Sequence, residues 1–456
     1  MKIFSENENY KLYQGNMLDM LEVIQPNSVD SIVCDPPYEL NFMGKGWDNS
    51  GIAFQKETWQ KCFDVLKDGG YLLAFGGSRT FHRIACAIED AGFEIRDTIM
   101  WLYGSGFPKS MNIGLAIDKK NGIDNRTGNI KTDGGVGGGV RTFSDDNYEW
   151  KREYEERIAT NEWSGWGTCL KPSFEPIIVA RKPFKGSLVD NVIKNGVGGL
   201  NIDECRVGTE KRTYKGCGKS NVGFIGGSFE NGSKEDIEYN VNGRFPANTI
   251  LTYDETDFEE VCGGFPNTKS TPRTPTIGGT GGVGQVTNFK RGSETSNFND
   301  SGSASRYFYC AKTSKKDRDE GCQDLEDTYN ACSNQAIAEL KRGNDTFSDE
   351  TNSTFNKVYK GKNTHPTVKP TELMQYLIRL VSPNGATILD PFNGSGSTGK
   401  AVMYENKERN KNYKYIGIEL TGEYLPIAQA RIEYVYNLPK EKDPQLTIFD
   451  VVKENE

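Results

Sequence analysis

Two apolar strands, far apart in the chain, each run straight into an Asp-Pro step. Val29 to Cys34 stops at Asp35-Pro36-Pro37-Tyr38, and Thr387 to Leu389 stops at Asp390-Pro391-Phe392. Proline has no N–H to give a ladder, so both strands must end there. Around the first, the hydrophobic period alternates. Phe54, Trp59, Phe63 and Leu66 are spaced as a helix face, and Asp68-Gly69-Gly70 punctuates it. Tyr71 to Phe75 is then a continuous apolar run, as in strands buried on both faces. A helix over Thr80 to Ala91 closes at Gly92, and Phe93 to Leu102 returns as a strand. The alternation predicts a doubly wound α/β sheet.

The rhythm then lapses. Gly134 to Gly139 and Gly278 to Gly284 are loop-like clusters, and Pro176 to Ala180 is one further strand. From about 185 to 360 the chain is polar and glycine-rich. At 365 the alternation resumes, with a helix (Thr371 to Val381), the second Asp-Pro strand, a glycine-rich turn, a helix and a strand (Tyr413 to Ile418). The expected organisation is one α/β domain in two pieces, 1–184 and 361–456, split by a polar middle, 185–360. Glycine is 51 of 456 residues and the apolar share is 35%, which suits a compact core with long polar loops.

Several function classes drop out. No apolar run reaches the roughly 18 residues of a membrane helix, and the polar start, Met1 to Tyr10, has no signal-peptide core. The ten cysteines form no CxxC pair, so reduced thiols in a cytoplasmic protein are expected. Two histidines, His82 and His365, argue against a zinc site or a His-based triad, and no metal is expected. With a net charge of −8, any nucleic-acid surface must be a local basic patch.

The chemistry concentrates where the strands stop. In open α/β sheets, ligands bind beyond the carboxyl ends of the strands. Asp35, the Pro36 carbonyl (its backbone held by Pro36 and Pro37) and the Tyr38 ring suit a planar group bearing an NH₂. The ring stacks, the two acceptors take the two N–H hydrogens, and the nitrogen lone pair is freed to attack. Positioning and electrostatics supply the catalysis. At the second strand, Gly394 and Gly396 permit a tight turn and close approach of a ligand. Glu419 ends the next strand about 20 residues on, where an acid binds ribose hydroxyls. The pair reads as a nucleoside-type cofactor site. Gly394-x-x-x-x-Gly399-Lys400 imitates a P-loop, but position 401 is Ala where Ser or Thr must hold Mg²⁺.

Three further segments belong to the same reading. His365-Pro366-Thr367-Val368-Lys369-Pro370 precedes the helix leading to the glycine turn. Trp101 to Ser110 interleaves Trp101 and Phe107 with Gly and Lys109, as a base-contacting loop would. Arg181-Lys182, Lys185, Arg306, Lys312, Lys315, Lys316, Arg318, Lys357, Lys360 and Lys362 make the middle diffusely basic.

Taken together, these residues resemble the amino-group (N6-adenine or N4-cytosine) DNA methyltransferases. Asp35-Pro36-Pro37-Tyr38 matches their (D/N/S)PP(Y/F/W) catalytic motif, and Asp390-Pro391-Phe392-x-Gly394-x-Gly396 looks like their S-adenosylmethionine loop. Catalytic motif first and cofactor loop last is the permuted order of the beta class. Through Gly104 to Ser110 and Cys169 to Lys182 the chain is also similar to phage and prophage methylases.

The resemblance implies a Rossmann-like, S-adenosyl-L-methionine-dependent methyltransferase sheet, circularly permuted, with a long inserted target-recognition region at 185–360. It implies that Asp35 and the Pro36 carbonyl hold the target amine, with Pro37 keeping the motif rigid, and that Tyr38 stacks on the flipped base. Asp390, Phe392, Asn393, Gly394, Ser395 and Gly396 would wrap the cofactor and Glu419 would hold its ribose. Thr367 and Lys369 would lie near its methionine end. Asn16 stands where relatives often have the Asp of a Gly-Asp step. Trp101, Phe107, Lys109, Arg181 and Lys182 would contact DNA. Asp35 favours adenine N6, because N4-cytosine relatives more often carry Ser there. The alternatives are N4-cytosine methylation and methylation of an RNA or protein amide, whose enzymes carry Asn-Pro-Pro-Tyr and usually keep the unpermuted order. A non-catalytic DNA-binding relic is a further alternative, against which the intact motifs argue. The partner implied is double-stranded DNA in the cytoplasm of a bacterium or phage-infected host. Beta-class relatives often dimerise, and a cognate restriction endonuclease is a further partner the resemblance raises.

Overall fold

The computed structural model describes residues 2–40, 46–103, 110–123, 158–216, 237–253, 265–269, 301–312, 315–326, 328–331 and 358–439. Residues 105–173 form a compact unit of their own, and the remainder forms another built on a ten-stranded sheet.

The sheet strands are β1 (Lys2–Glu6), β2 (Tyr10–Gln14), β3 (Val29–Cys34), β4 (Leu66–Phe75), β5 (Glu94–Tyr103), β6 (Phe174–Arg181), β7 (Thr249–Tyr253), β8 (Tyr309–Lys312), β9 (Thr387–Asp390) and β10 (Lys414–Glu419). Their spatial order is β1-β2-β10-β9-β3-β4-β6-β5-β7-β8. β2, β10, β9, β3 and β4 pair in parallel, and β6 runs antiparallel to both its neighbours. The last strands of the chain therefore sit between β2 and β3 in the middle of the sheet.

Tyr71 to Phe75 of β4 is buried on both faces, which is why it reads as an unbroken apolar run. Ile32, Cys34, Leu72 and Ala74 face one core with Trp59 and Cys62 of α1 (Lys56–Val65) and Ile84 and Ile88 of α2 (Phe81–Asp90). Val33, Leu73 and Phe75 face the other, with Leu373 and Leu377 of α5 (Thr371–Val381), Val402 of α6 (Ser397–Glu408) and Ile432 of α7 (Leu425–Asn437). The 105–173 unit contains α3 (Ile113–Lys120), capped by Asn112 Oδ1, which accepts the Leu115 N–H. Its Asp118 accepts from the Thr160 and Asn161 side chains.

Two sequence expectations change. Asp68-Gly69-Gly70 is part of β4 and not a turn before it. Gly69 donates its N–H to the Lys182 carbonyl, and Lys182 donates to that of Gly70, so the glycines extend the ladder. A side chain at Gly70 would strike the Asp30 carbonyl at 2.9 Å. The polar middle stretch also contains regular elements among its described residues. These include α4 (Leu188–Asn195) and strands β7 and β8, the last two of the sheet. It also forms an antiparallel pair, Val207–Gly216 with Ile237–Arg244. Strands β7 and β8 are short, five and four residues, which leaves little period to read.

Candidate active site

β3 and β9 are parallel neighbours, in register at Ser31 with Ile388 and Ile32 with Leu389. The chain leaves β9 toward β10 and β2, and leaves β3 toward β4 on the other side. A crevice opens at such a switch point beyond the carboxyl ends. Asp35 and Asp390, 355 positions apart in the chain, meet at its two lips. Glu419 at the end of β10 and Gly15-Asn16 at the end of β2 follow along the same edge.

Lys369 donates to Asp35 Oδ2 at 2.7 Å and also pairs with Glu175 at 3.4 Å. Asp35 Oδ1 is buried and has no hydrogen-bond partner. The Tyr38 hydroxyl donates to Glu175 Oε2 at 2.7 Å. Burial, with Asp35 and Glu175 beside it, pushes the Tyr38 phenol well above its ordinary range, so it stays protonated. Burial works against the Lys369 ammonium, but the two carboxylates overcome it and hold the group charged. The Tyr38, Phe75 and Trp101 rings surround that ammonium at 5.2, 5.0 and 6.0 Å, a favourable setting for a cation. After Tyr38 the backbone turns through Glu39, whose φ is +55°. Asp48 holds that turn by accepting the Glu39 and Leu40 N–H groups. A left-handed non-glycine residue costs energy and persists because its surroundings impose it.

The second lip is a turn held from behind. Gly394 and Gly396 have φ of +51° and +75°. A Cβ at Gly394 would meet His365 Nε2 at 2.9 Å, and one at Gly396 would meet the Ala428 backbone at 2.9 Å. Glu419 Oε2 accepts the Gly394 N–H at 2.7 Å, and Oε1 accepts that of Thr421 at 2.7 Å. Burial raises this carboxyl above its usual range. Asn393 receives the Tyr415 hydroxyl at Oδ1. Arg431, fully buried, donates to the Ser395 carbonyl, Ser395 Oγ and Ser397 Oγ. Asp390 accepts from Thr398 Oγ1 and the Phe392 N–H, yet burial outweighs both and lifts its carboxyl to about 7. Phe392 packs against Trp59. His365 lies between Trp47 and Tyr424, and burial lowers its imidazole to about 4, leaving it neutral. Its Nδ1 is paired with the Thr367 carbonyl.

The other expected residues fall differently. Lys369 is drawn to Asp35. Asn16 Oδ1 accepts the Leu18 N–H and caps the helical turn Met17–Met20. Trp101 is buried, donates to Thr252 Oγ1 at 2.8 Å and packs on Phe75, so it backs the Lys369 site and turns no ring face to a duplex. Arg181 and Lys182, expected to contact DNA, lie at the opposite edge of the sheet, because β6 is antiparallel. Lys182 is 5% exposed and donates to Asn27 Oδ1 and the Phe63 and Leu66 carbonyls, while Arg181 is paired with Glu94. Neither is placed for a phosphate. Phe107 and Lys109 lie outside the described residues. Lys400 of the P-loop look-alike points away from the turn, wholly buried between Asp317 and Glu320.

Sequence reasoning missed Glu175 as a site residue. An acid heading an apolar strand is an ordinary signal, and only the reversed direction of β6 carries it to the carboxyl edge. It also missed Asp317, in the short helix Lys315–Asp319, which binds Lys400, Arg431 and Thr371.

A DNA methylase family model of the N6/N4 type matches residues 29–204 and 239–430. The chain is 28% identical over 232 residues to the type II methyltransferase M.HindIII of Haemophilus influenzae, covering 42% of this chain and 64% of that protein. It is 38% identical over 97 residues to M2.DpnII of Streptococcus pneumoniae, covering 21% and 34%. The chain thus spans less than two thirds of the length of either relative. Among solved structures, the cytosine-N4-specific PvuII DNA methyltransferase aligns over 99% of this chain and 96% of its own, at 12% identity and a TM-score of 0.38. The M1.HpyAVI–SAM complex aligns over 93% and 99%, at 13% identity and 0.34.

Proposed function

The chain belongs to the N6/N4 DNA methylase family, and from that premise we propose that it is a site-specific DNA methyltransferase acting on adenine N6. The reading supposes double-stranded DNA as substrate and S-adenosyl-L-methionine as the methyl donor. The observation that carries it is the orphaned, buried Asp35 Oδ1 beside the Tyr38 ring.

The target amine is hidden in a duplex, so the base must be flipped out, at a cost of a few kcal/mol. Tyr38 stacks on it. The amine donates one N–H to Asp35 Oδ1 and the other to the Pro36 carbonyl. Both bonds favour a pyramidal nitrogen whose lone pair is free. Asp35 Oδ1 then accepts the proton that the methylated amine sheds. Lys369 is fixed on Oδ2 and stays charged, so it is not the base. Asp35 supports adenine over cytosine, as the resemblance implies.

The second lip fits the cofactor. Its glycines bring bare backbone to the crevice, and the Glu419 carboxylate beside them would accept from a ribose diol. Phe392, Asn393, Gly394, Ser395 and Gly396 would wrap the nucleoside, with Asp390 and Asn16 supporting the edge and Thr367 near the amino-acid end. When bound, the group supplies the electrophilic methyl. The 185–360 stretch would hold target recognition, apart from the strands and short helix that join the sheet and the glycine turn.

Incubation with unmethylated DNA and S-adenosyl-L-methionine, then digestion to nucleosides and mass spectrometry, tests the reading. N6-methyladenine is expected. N4-methylcytosine would keep the mechanism and overturn the base. Neither product, with cofactor binding intact, would sink the DNA substrate.

A further inference from the structure

The site holds one carboxylate more than the transfer needs. Glu175 enters from β6, opposite Trp101 in the ladder, and reaches three groups. Its Oε2 accepts the Tyr38 hydroxyl at 2.7 Å and pairs with the Lys369 ammonium at 3.4 Å, and its Oε1 accepts the Tyr103 hydroxyl at 3.3 Å. Lys369 continues to Asp35 Oδ2 at 2.7 Å. Tyr38, Glu175, Lys369 and Asp35 thus form a closed circuit whose two ends lie three residues apart on a proline-stiffened loop.

The circuit has a physical consequence. An ammonium carries three donors. With a single carboxylate for company it would draw on both oxygens, and Asp35 Oδ1 would be lost to the amine. Two carboxylates divide those donors. We propose that Glu175 is a positioning residue of the methyl transfer, fixing the Tyr38 ring through its hydroxyl and sharing Lys369 so that Asp35 Oδ1 stays open to the target amine. The inference rests on the methyltransferase reading.

Full-length wild type, Glu175→Gln and Glu175→Asp test it, assayed on DNA with S-adenosyl-L-methionine. Glu175→Gln keeps volume and an acceptor for Tyr38 but removes the charge. Its kcat should fall about tenfold to 100-fold, the scale of a small misplacement of reacting groups, with KM for the cofactor within twofold. The groups facing Lys369 are Asp35 and Tyr38 after β3, Glu175 on β6, Tyr103 on β5 and His365 on its own segment. Glu175→Gln removes one of the two anions that keep Lys369 charged, so an alkaline limb should enter the kcat profile at lower pH than in the wild type. Glu175→Asp, which keeps the charge, should send that limb back up. A Glu175→Gln enzyme with kcat within twofold and an unmoved limb would overturn the inference alone. So would a Glu175→Asp limb that stays with Glu175→Gln. A wild type that transfers no methyl group overturns the methyltransferase reading and this inference with it.

Discussion

Asp35 has two oxygens and only one to offer. Because Lys369 occupies Oδ2, Oδ1 is the Asp35 oxygen that the proposed mechanism gives to an incoming amine. Asp35→Ala should therefore abolish methyl transfer while calorimetry still finds cofactor binding, since the glycine turn is untouched. Retained turnover would remove Asp35 from its role. Asp390 makes a different prediction. Its carboxyl sits at about 7 when folded, against an ordinary 3.8. A raised acid contributes stability below its unfolded pKa and loses it as pH rises through the folded one. Relative to Asp390→Asn, the wild type should thus lose thermal midpoint progressively between about pH 4 and 7, and a flat difference would contradict the burial argument. Asp35 and Tyr38 stand out in the sequence because a Pro-Pro step marks them. Lys369 does not, because nothing in a loop sequence says which acid its amine will find.

At the level of elements, the glycine turn is only as firm as its supports. Asp317 is held below the usual carboxylate range by Lys400 despite its burial. It ties the short helix Lys315–Asp319 to α5, α6 and α7 together. Removing one member of such a buried pair strands the others. Asp317→Ala should cost about 3 kcal/mol in urea unfolding, and a change below about 0.5 kcal/mol would mean that Glu320 alone satisfies Lys400. Gly396→Ala places a Cβ against the Ala428 backbone at a left-handed φ. It should destabilise by more than 1 kcal/mol and weaken cofactor binding, both readable by thermal shift with and without S-adenosyl-L-methionine. The strands and helices that build this edge were legible, with Val29–Cys34 and Thr371–Val381 found to the residue, because their apolar residues follow a clear period and Pro and Gly bound them. The support from Lys315–Asp319 was not, since a five-residue polar helix has no period to read.

The whole molecule is acidic, at −8. Any DNA affinity must therefore come from a local patch, and salt must act on it strongly. Raising salt from about 50 to 200 mM should lower the apparent DNA affinity steeply, which nitrocellulose-filter or anisotropy titrations would show. A flat response would mean that phosphates contribute little. Arg181 and Lys182 show why such a patch escapes sequence reading: their charge is plain, but the reversal of β6 sends them to the far edge, where Lys182 caps carbonyls instead. By itself, the sequence determined the α/β class and the two Asp-Pro turns, because strand burial and proline chemistry act over neighbouring residues. The tertiary structure alone decided that the two turns share one crevice, that Lys369 serves Asp35, and that Glu175 joins them. Those facts depend on strand order and direction, which bring together groups hundreds of residues apart and leave no trace in local pattern.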